Sequence, residues 1–227
     1  MRSAVSGISD RRGRRTDQIG RATVTVDSVT RPFRQQIDAG ILDKAAALFA
    51  RRGFAKTSVQ DVADAVGLSK AGLLHHFASK DALYAAVLSR AGAVGGQLLD
   101  AVGDRPLGPA RDRVALEAMV DIALAHPGLV SFLLAPILAG DGDPPSAETD
   151  ATGAQALQAF GVDAHAPASE RSIRVAGALG ALAVLALAAN HHNQTTAWRR
   201  DIVATCFDAL GHRRPGAGSP SSDQVEA

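Results

Sequence analysis

This 227-residue sequence has one cysteine, one tryptophan and one tyrosine, and aromatic residues make up only 4% of it. One cysteine, Cys206, excludes an intramolecular disulfide and a cysteine-built zinc cage, which suits a reducing compartment. Its expected role is that of a small buried apolar residue. Few aromatics beside abundant alanine argue against sheets and for helices packed through small and aliphatic side chains, so the expected fold is all-α. No apolar run reaches the roughly 18–20 residues of a membrane span. The longest, Val175 to Ala189, is apolar or glycine throughout and reads as a buried helix, with no membrane partner expected. Met1-Arg2-Ser3 leads into no apolar stretch, so no secretory signal is expected and the protein is placed in the cytoplasm.

Motifs for chemistry are also lacking. There is no Gly-x-Ser-x-Gly elbow, no glycine loop that would cradle phosphates and no His-Glu-x-x-His helix, so neither an enzyme nor a cofactor is expected. Asp141-x-Asp143 lacks the glycine and terminal glutamate of a calcium hand. The vicinal pairs His75-His76 and His191-His192 point about 100° apart on a helix and cannot share one ion unaided, so no metal is expected.

What is present is an uneven charge. The net value of +1 conceals eight Arg against three Asp in residues 1–36, and ten basic against fifteen acidic residues in 85–227. Phosphate neutralisation by Lys and Arg supplies most non-specific nucleic-acid affinity, so a nucleic-acid partner would meet the first third of the chain.

Periodicity then divides the chain. Residues 1–33, with Arg11, Arg12, Arg14 and Arg15 among polar residues and no helical stripe, read as a disordered arm, either solvated or touching DNA. A stripe of Ile37, Ile41, Ala45, Leu48 and Phe49 predicts a first helix that Gly53 ends. Thr57 and Ser58, each with Gln60 or Asp61 three places on, open a second helix that Gly67 breaks. Ser69 caps a third from Lys70 to about Phe77, and Ser79 caps a fourth running toward Leu99. Two further helices fit either side of Pro127-Gly128, a polar loop fits Gly140 to Asp150, and a short amphipathic segment fits Ala154 to Phe160. Long helices are expected at Ser169 to Asn190 and Ala197 to Leu210, and a disordered tail from Arg213.

Three short helices with the turn Val66-Gly67-Leu68 between the second and third make a helix-turn-helix, whose third helix can enter the major groove. The stretches Gly53-Phe54-Ala55-Lys56-Thr57-Ser58-Val59-Gln60-Asp61-Val62-Ala63 and Val66-Gly67-Leu68-Ser69-Lys70-Ala71-Gly72-Leu73-Leu74-His75-His76-Phe77-Ala78-Ser79-Lys80-Asp81-Ala82-Leu83 closely resemble the DNA-binding signature of the TetR family. The resemblance covers roughly residues 37–84. It implies a DNA-facing set of Thr57, Ser58, Gln60, Ser69, Lys70, Ala71, Gly72, Leu74, His75, His76 and Lys80. Within that set Ser58, His76 and Lys80 would touch phosphate and Gln60 would reach a base. Ser69 would present the N-terminus of the recognition helix, and Lys70 would reach guanine edges or the backbone. Leu74 stands where the family usually has a phosphate-binding tyrosine, and His75 is the expected substitute.

The resemblance implies residues 34–80 as a helix-turn-helix domain, 81–213 as a helical ligand-binding and dimerisation domain, and 214–227 as a tail. The function implied is a homodimeric repressor on an inverted-repeat site in double-stranded DNA, released by a small apolar effector. An architectural DNA-binding protein that senses nothing is the alternative. Leu98, Met119, Ile122, Phe132, Leu133 and Phe160 are the expected effector-lining residues. The all-round apolar helix from Ser169 to Asn190, with Ala176, Gly177, Gly180, Ala181 and Ala183, is the expected dimer surface together with the last helix.

Overall fold

A computed structural model of the chain describes residues 26–139 and 147–212, and every regular element among them is a helix. In order these are α1 (Val26–Lys56), α2 (Val59–Val66), α3 (Lys70–His76), α4 (Lys80–Val102), α5 (Pro109–Ala125), α6 (Pro127–Ala139), α7 (Ala147–Ala159), α8 (Glu170–His191) and α9 (Thr195–Ala209). The all-α expectation holds, with an N-terminal helix-turn-helix and a C-terminal helical part. The arm expected at residues 1–33 lies outside the described residues up to 25, and the tail from Arg213 lies outside them entirely.

Local chemistry explains the short helices. Gly53 breaks α1 with φ 75° and ψ 162°, a conformation open to glycine at little cost. Ser58 caps α2 in a reciprocal box with Asp61, and Gly67 closes that helix in the left-handed region at φ 71°. Ser69 and Ser79 accept the amides of Gly72 and Ala82 to open α3 and α4. Ser169 forms a second capping box with Ser172 at the start of α8.

Two boundaries differ from the sequence reading. α1 begins at Val26, eleven residues before the apolar stripe, because a helix nucleated by the packed stretch from Ile37 extends at one hydrogen bond per added residue without needing an apolar face. α7 begins at Ala147, inside the loop expected to reach Asp150, and buries Thr149 and Thr152, whose polarity masked the helical period.

The apolar residues form two clusters. In the first, Ile41, Phe49, Val62, Leu73, Leu83 and Val87 of α1 to α4 are joined by Leu129 and Phe132 of α6. The second gathers Leu98 and Val102 of α4 with Leu116, Val120, Phe160, Val175, Leu182, Ile202 and Cys206. Burial pushes the Cys206 thiol up to about 11, so it stays a neutral thiol in the core.

α4 therefore spans both clusters, and α6 belongs to the core of the N-terminal helices. Asp43 of α1 accepts the Leu129 amide at 3.0 Å, at the N-terminal turn of α6 where a carboxylate is favoured. A side chain on Gly128 would run into the Asp43 carbonyl, so glycine permits this approach. Beside it Arg90 of α4 donates to His126 at 3.0 Å. Burial, and then the Arg90 charge, hold His126 below the ordinary imidazole value, which keeps it neutral as an acceptor.

Candidate nucleic-acid interface

The surface built by α2, α3 and the ends of α1 and α4 starts from burial. Leu73 is 1% exposed and fastens α3 to the core, which turns Lys70, Ala71 and His75 outward and leaves Gly72, Leu74 and His76 half-buried. At the N-terminus of α3, Ser69 is exposed and its hydroxyl accepts the Gly72 amide at 3.0 Å. A Cβ at position 72 would lie 3.2 Å from the Ser69 hydroxyl, tighter than ordinary contact, so the glycine keeps this end slim.

α2 is anchored by a carboxylate. Asp61 takes the Ser58 amide at 2.8 Å and hydroxyl at 2.6 Å, and Arg52 of α1 at 2.8 Å. The Ser58 hydroxyl, then its amide, then Arg52 hold the Asp61 carboxyl below its usual range. Gln60 is exposed on α2 and donates to Asp64 at 2.7 Å.

Three residues of the expected DNA-facing set are drawn inward. Thr57 is 1% exposed and its hydroxyl donates to the Gly53 carbonyl at 2.8 Å, where it ties the kink after α1 to α2. Lys80 donates to the Phe54 carbonyl at 3.0 Å and stands 4.1 Å over the Phe54 ring, a cation–π contact inside the Phe49, Phe54 and Tyr84 group. His76 lies 2.7 Å from Asp38 of α1. The remaining members, Ser58, Gln60, Ser69, Lys70, Ala71, Gly72, Leu74 and His75, lie on α2, α3 and their caps.

Asp38 was not singled out from the sequence. Its partner is 38 positions away and no local pattern announces the pair. The same holds for Phe54, whose carbonyl and ring hold Lys80 from 26 positions away.

The expected effector-lining residues fall in two hydrophobic clusters. Leu98, Phe160 and Met119 belong to the C-terminal cluster, whereas Phe132, Ile122 and Leu133 pack with the helix-turn-helix core. An open groove of about 430 Å³ at the end of α7 is lined by Ala154, Gln158, Gly161, Val162, Asp163, Ala164 and His165, none of them in the expected set.

Residues 41–87 match the bacterial regulatory proteins of the tetR family. The chain is 48% identical over 48 residues to the HTH-type transcriptional repressor KstR2 of Rhodococcus jostii (strain RHA1), covering 21% of this chain and 24% of that one. It is 39% identical over 66 residues to the HTH-type transcriptional repressor Rv1474c of Mycobacterium tuberculosis (strain ATCC 25618 / H37Rv), covering 24% of this chain and 35% of the other. These matches thus span between about a quarter and about a third of those relatives' lengths. Among solved structures, a TetR-like transcriptional regulator from Rhodococcus sp. RHA1 superposes with a TM-score of 0.46 at 22% identity, covering 79% of this chain and 97% of that chain. The helix-turn-helix segment of this chain belongs to the tetR family of bacterial regulatory proteins.

Proposed function

We propose that the protein is a transcriptional regulator, acting as a repressor, that binds an inverted-repeat operator in double-stranded DNA as a homodimer and is released by a small apolar effector. The observation that carries the reading is the outer face of α3. A serine-capped helix N-terminus, an exposed Lys70 and an exposed His75 lie on a segment whose sequence matches the bacterial regulatory proteins of the tetR family. A helix N-terminus attracts phosphate through its unpaired amides and dipole, and a long cationic side chain in the first turn reaches base edges.

The dimer rests on α8. Its inner face, Val175, Ala178, Leu182, Ala183, Ala186 and Ala189, is buried within the subunit. The opposite face carries Ile173 and Val184, 66% and 65% exposed, with Gly177 and Gly180 between them. A Cβ at either of those two glycines would meet nothing within 4 Å in the subunit, so its own packing does not require them. Glycine inside a helix costs about 1 kcal/mol relative to alanine, and close approach of a second helix would offset that cost. By length and composition α8 is also the one described helix able on its own to cross a membrane; its inner face packed into the subunit core favours the soluble reading, with the cytoplasm as the location.

The expected effector-lining residues are divided between two hydrophobic clusters. That division favours, as a second reading, DNA binding without a ligand. The test of DNA recognition uses an operator recovered from random duplexes by selection on the full chain. Lys70→Ala is expected to weaken its binding by about 1–3 kcal/mol and to relax preference at the base pairs it reads. Equal affinity of the two proteins for the selected DNA would contradict the assigned role.

A further inference from the structure

His76 is the last residue of α3, and its Nδ1 lies 2.7 Å from Asp38 Oδ1 on α1. Their side chains are 18% and 35% exposed, so the pair is only partly buried. A carboxylate only accepts hydrogen bonds, so the proton of this contact sits on Nδ1. A phosphodiester oxygen also only accepts. The other ring nitrogen, Nε2, can therefore donate to phosphate only when the ring holds both protons.

Resting on the DNA-binding reading above, we infer that Asp38 is a positioning residue that makes DNA binding proton-linked: by taking the Nδ1 proton of His76 it requires the doubly protonated ring for a phosphate contact. Besides Asp38 from α1, the described ring contacts of His76 are with His75 on α3, edge-on at a centroid separation of 6.1 Å, and Phe77, whose ring centroid is 6.5 Å away. Lys80, at the start of α4, is occupied by the Phe54 carbonyl and ring.

The sign follows from the count of protons. The DNA-bound state holds one more proton per subunit than the free state with a neutral ring. Affinity is then greatest at low pH and falls as pH rises. The limit is about tenfold per pH unit for each histidine engaged. Asn at position 38 changes the bookkeeping, because its amide can donate to Nδ1 and leave the single proton of a neutral ring on Nε2, ready for phosphate.

The experiment measures affinity of the full chain for its selected operator from about pH 5.5 to 8.5 at constant ionic strength. The wild type should lose affinity with rising pH. Asp38→Asn should flatten that dependence and bind more tightly than the wild type at the alkaline end. His76→Gln, which keeps a donor but cannot titrate, should flatten it as well, and provides the reading should Asp38→Asn fail to fold. A wild-type affinity independent of pH would overturn the inference, as would a slope unchanged in both variants or one lost in His75→Gln but kept in His76→Gln. Absence of sequence-specific binding at every pH would instead overturn the regulatory reading beneath it.

Discussion

Asp112→Ala is expected to destabilise the C-terminal helices by about 1.5–3 kcal/mol, the range for losing a hydrogen bond to a charged group, because the Arg171 side chain left behind is 34% exposed. Asp112 is fully buried in the first turn of α5, where a helix N-terminus favours a negative charge. Both of its oxygens are used. Oδ1 takes Arg171 of α8 at 2.6 Å, and Oδ2 takes His212, in the turn after α9, at 2.6 Å. One carboxylate thus joins three elements. Without it Arg171 keeps the Phe160 carbonyl at 3.0 Å but loses its charge partner. Typical domains are stable by only about 5–15 kcal/mol, so the loss should be plain in denaturant unfolding monitored by circular dichroism. If the cost comes from the stranded guanidinium, adding Arg171→Met should recover part of it. A loss below about 1 kcal/mol for the single variant would show that the pair contributes no more than a surface contact.

Gly180→Arg combined with Val184→Glu should yield monomers at micromolar concentration and lower affinity for a two-half-site operator by about 100-fold or more. Joining two recognition helices through a dimer raises affinity by roughly 10²–10⁴-fold without any new contact to DNA, and the variant removes that gain. The subunit itself should stay folded, because Val184 is 65% exposed and Gly180 is exposed with room for a Cβ. Replacing a helical glycine should even raise monomer stability by a few tenths to about 1 kcal/mol. Leu182, in contrast, is 3% exposed within its own subunit, so a charge there would unfold the chain and say nothing about assembly. Sedimentation equilibrium reads the outcome. A monomeric wild type, or a double variant that remains a dimer, would remove α8 from the interface.

The two α8 faces illustrate what the sequence could convey. A stretch that is apolar all round announces burial on every side but not which side meets the subunit's own core. Only packing separates Val175, Ala178 and Leu182, turned inward, from Ile173, Gly177, Gly180 and Val184, turned outward. The helix-turn-helix was legible for the opposite reason. Its limits are written in local chemistry: Gly53 and Gly67 at positive φ, and Ser58, Ser69 and Ser79 as caps, each acting within three or four residues of itself.

Contacts across the chain were not legible. Asp112 meets Arg171 and His212 over 59 and 100 positions, and His76 meets Asp38 over 38, distances at which residue type carries no information about partner. The same limit separated the expected effector residues. Leu98 and Phe132 are both apolar and buried, yet one packs with the C-terminal helices and the other with the helix-turn-helix core. The attachment of α6 to α1 through Asp43 and Gly128 was missed likewise, since nothing in Pro127-Gly128 beyond a helix boundary points to α1. Through it α6 is held directly to the first helix of the helix-turn-helix.

The measurement closest to the central claim is the ratio of affinities of the wild-type chain for its selected inverted repeat and for scrambled duplex of the same length, at one physiological salt concentration. A sequence-reading regulator should favour the inverted repeat by about 10³-fold or more. Phosphate contacts alone carry no sequence information, so a ratio near one would mean that the α3 face holds DNA without reading it, contradicting the repressor reading.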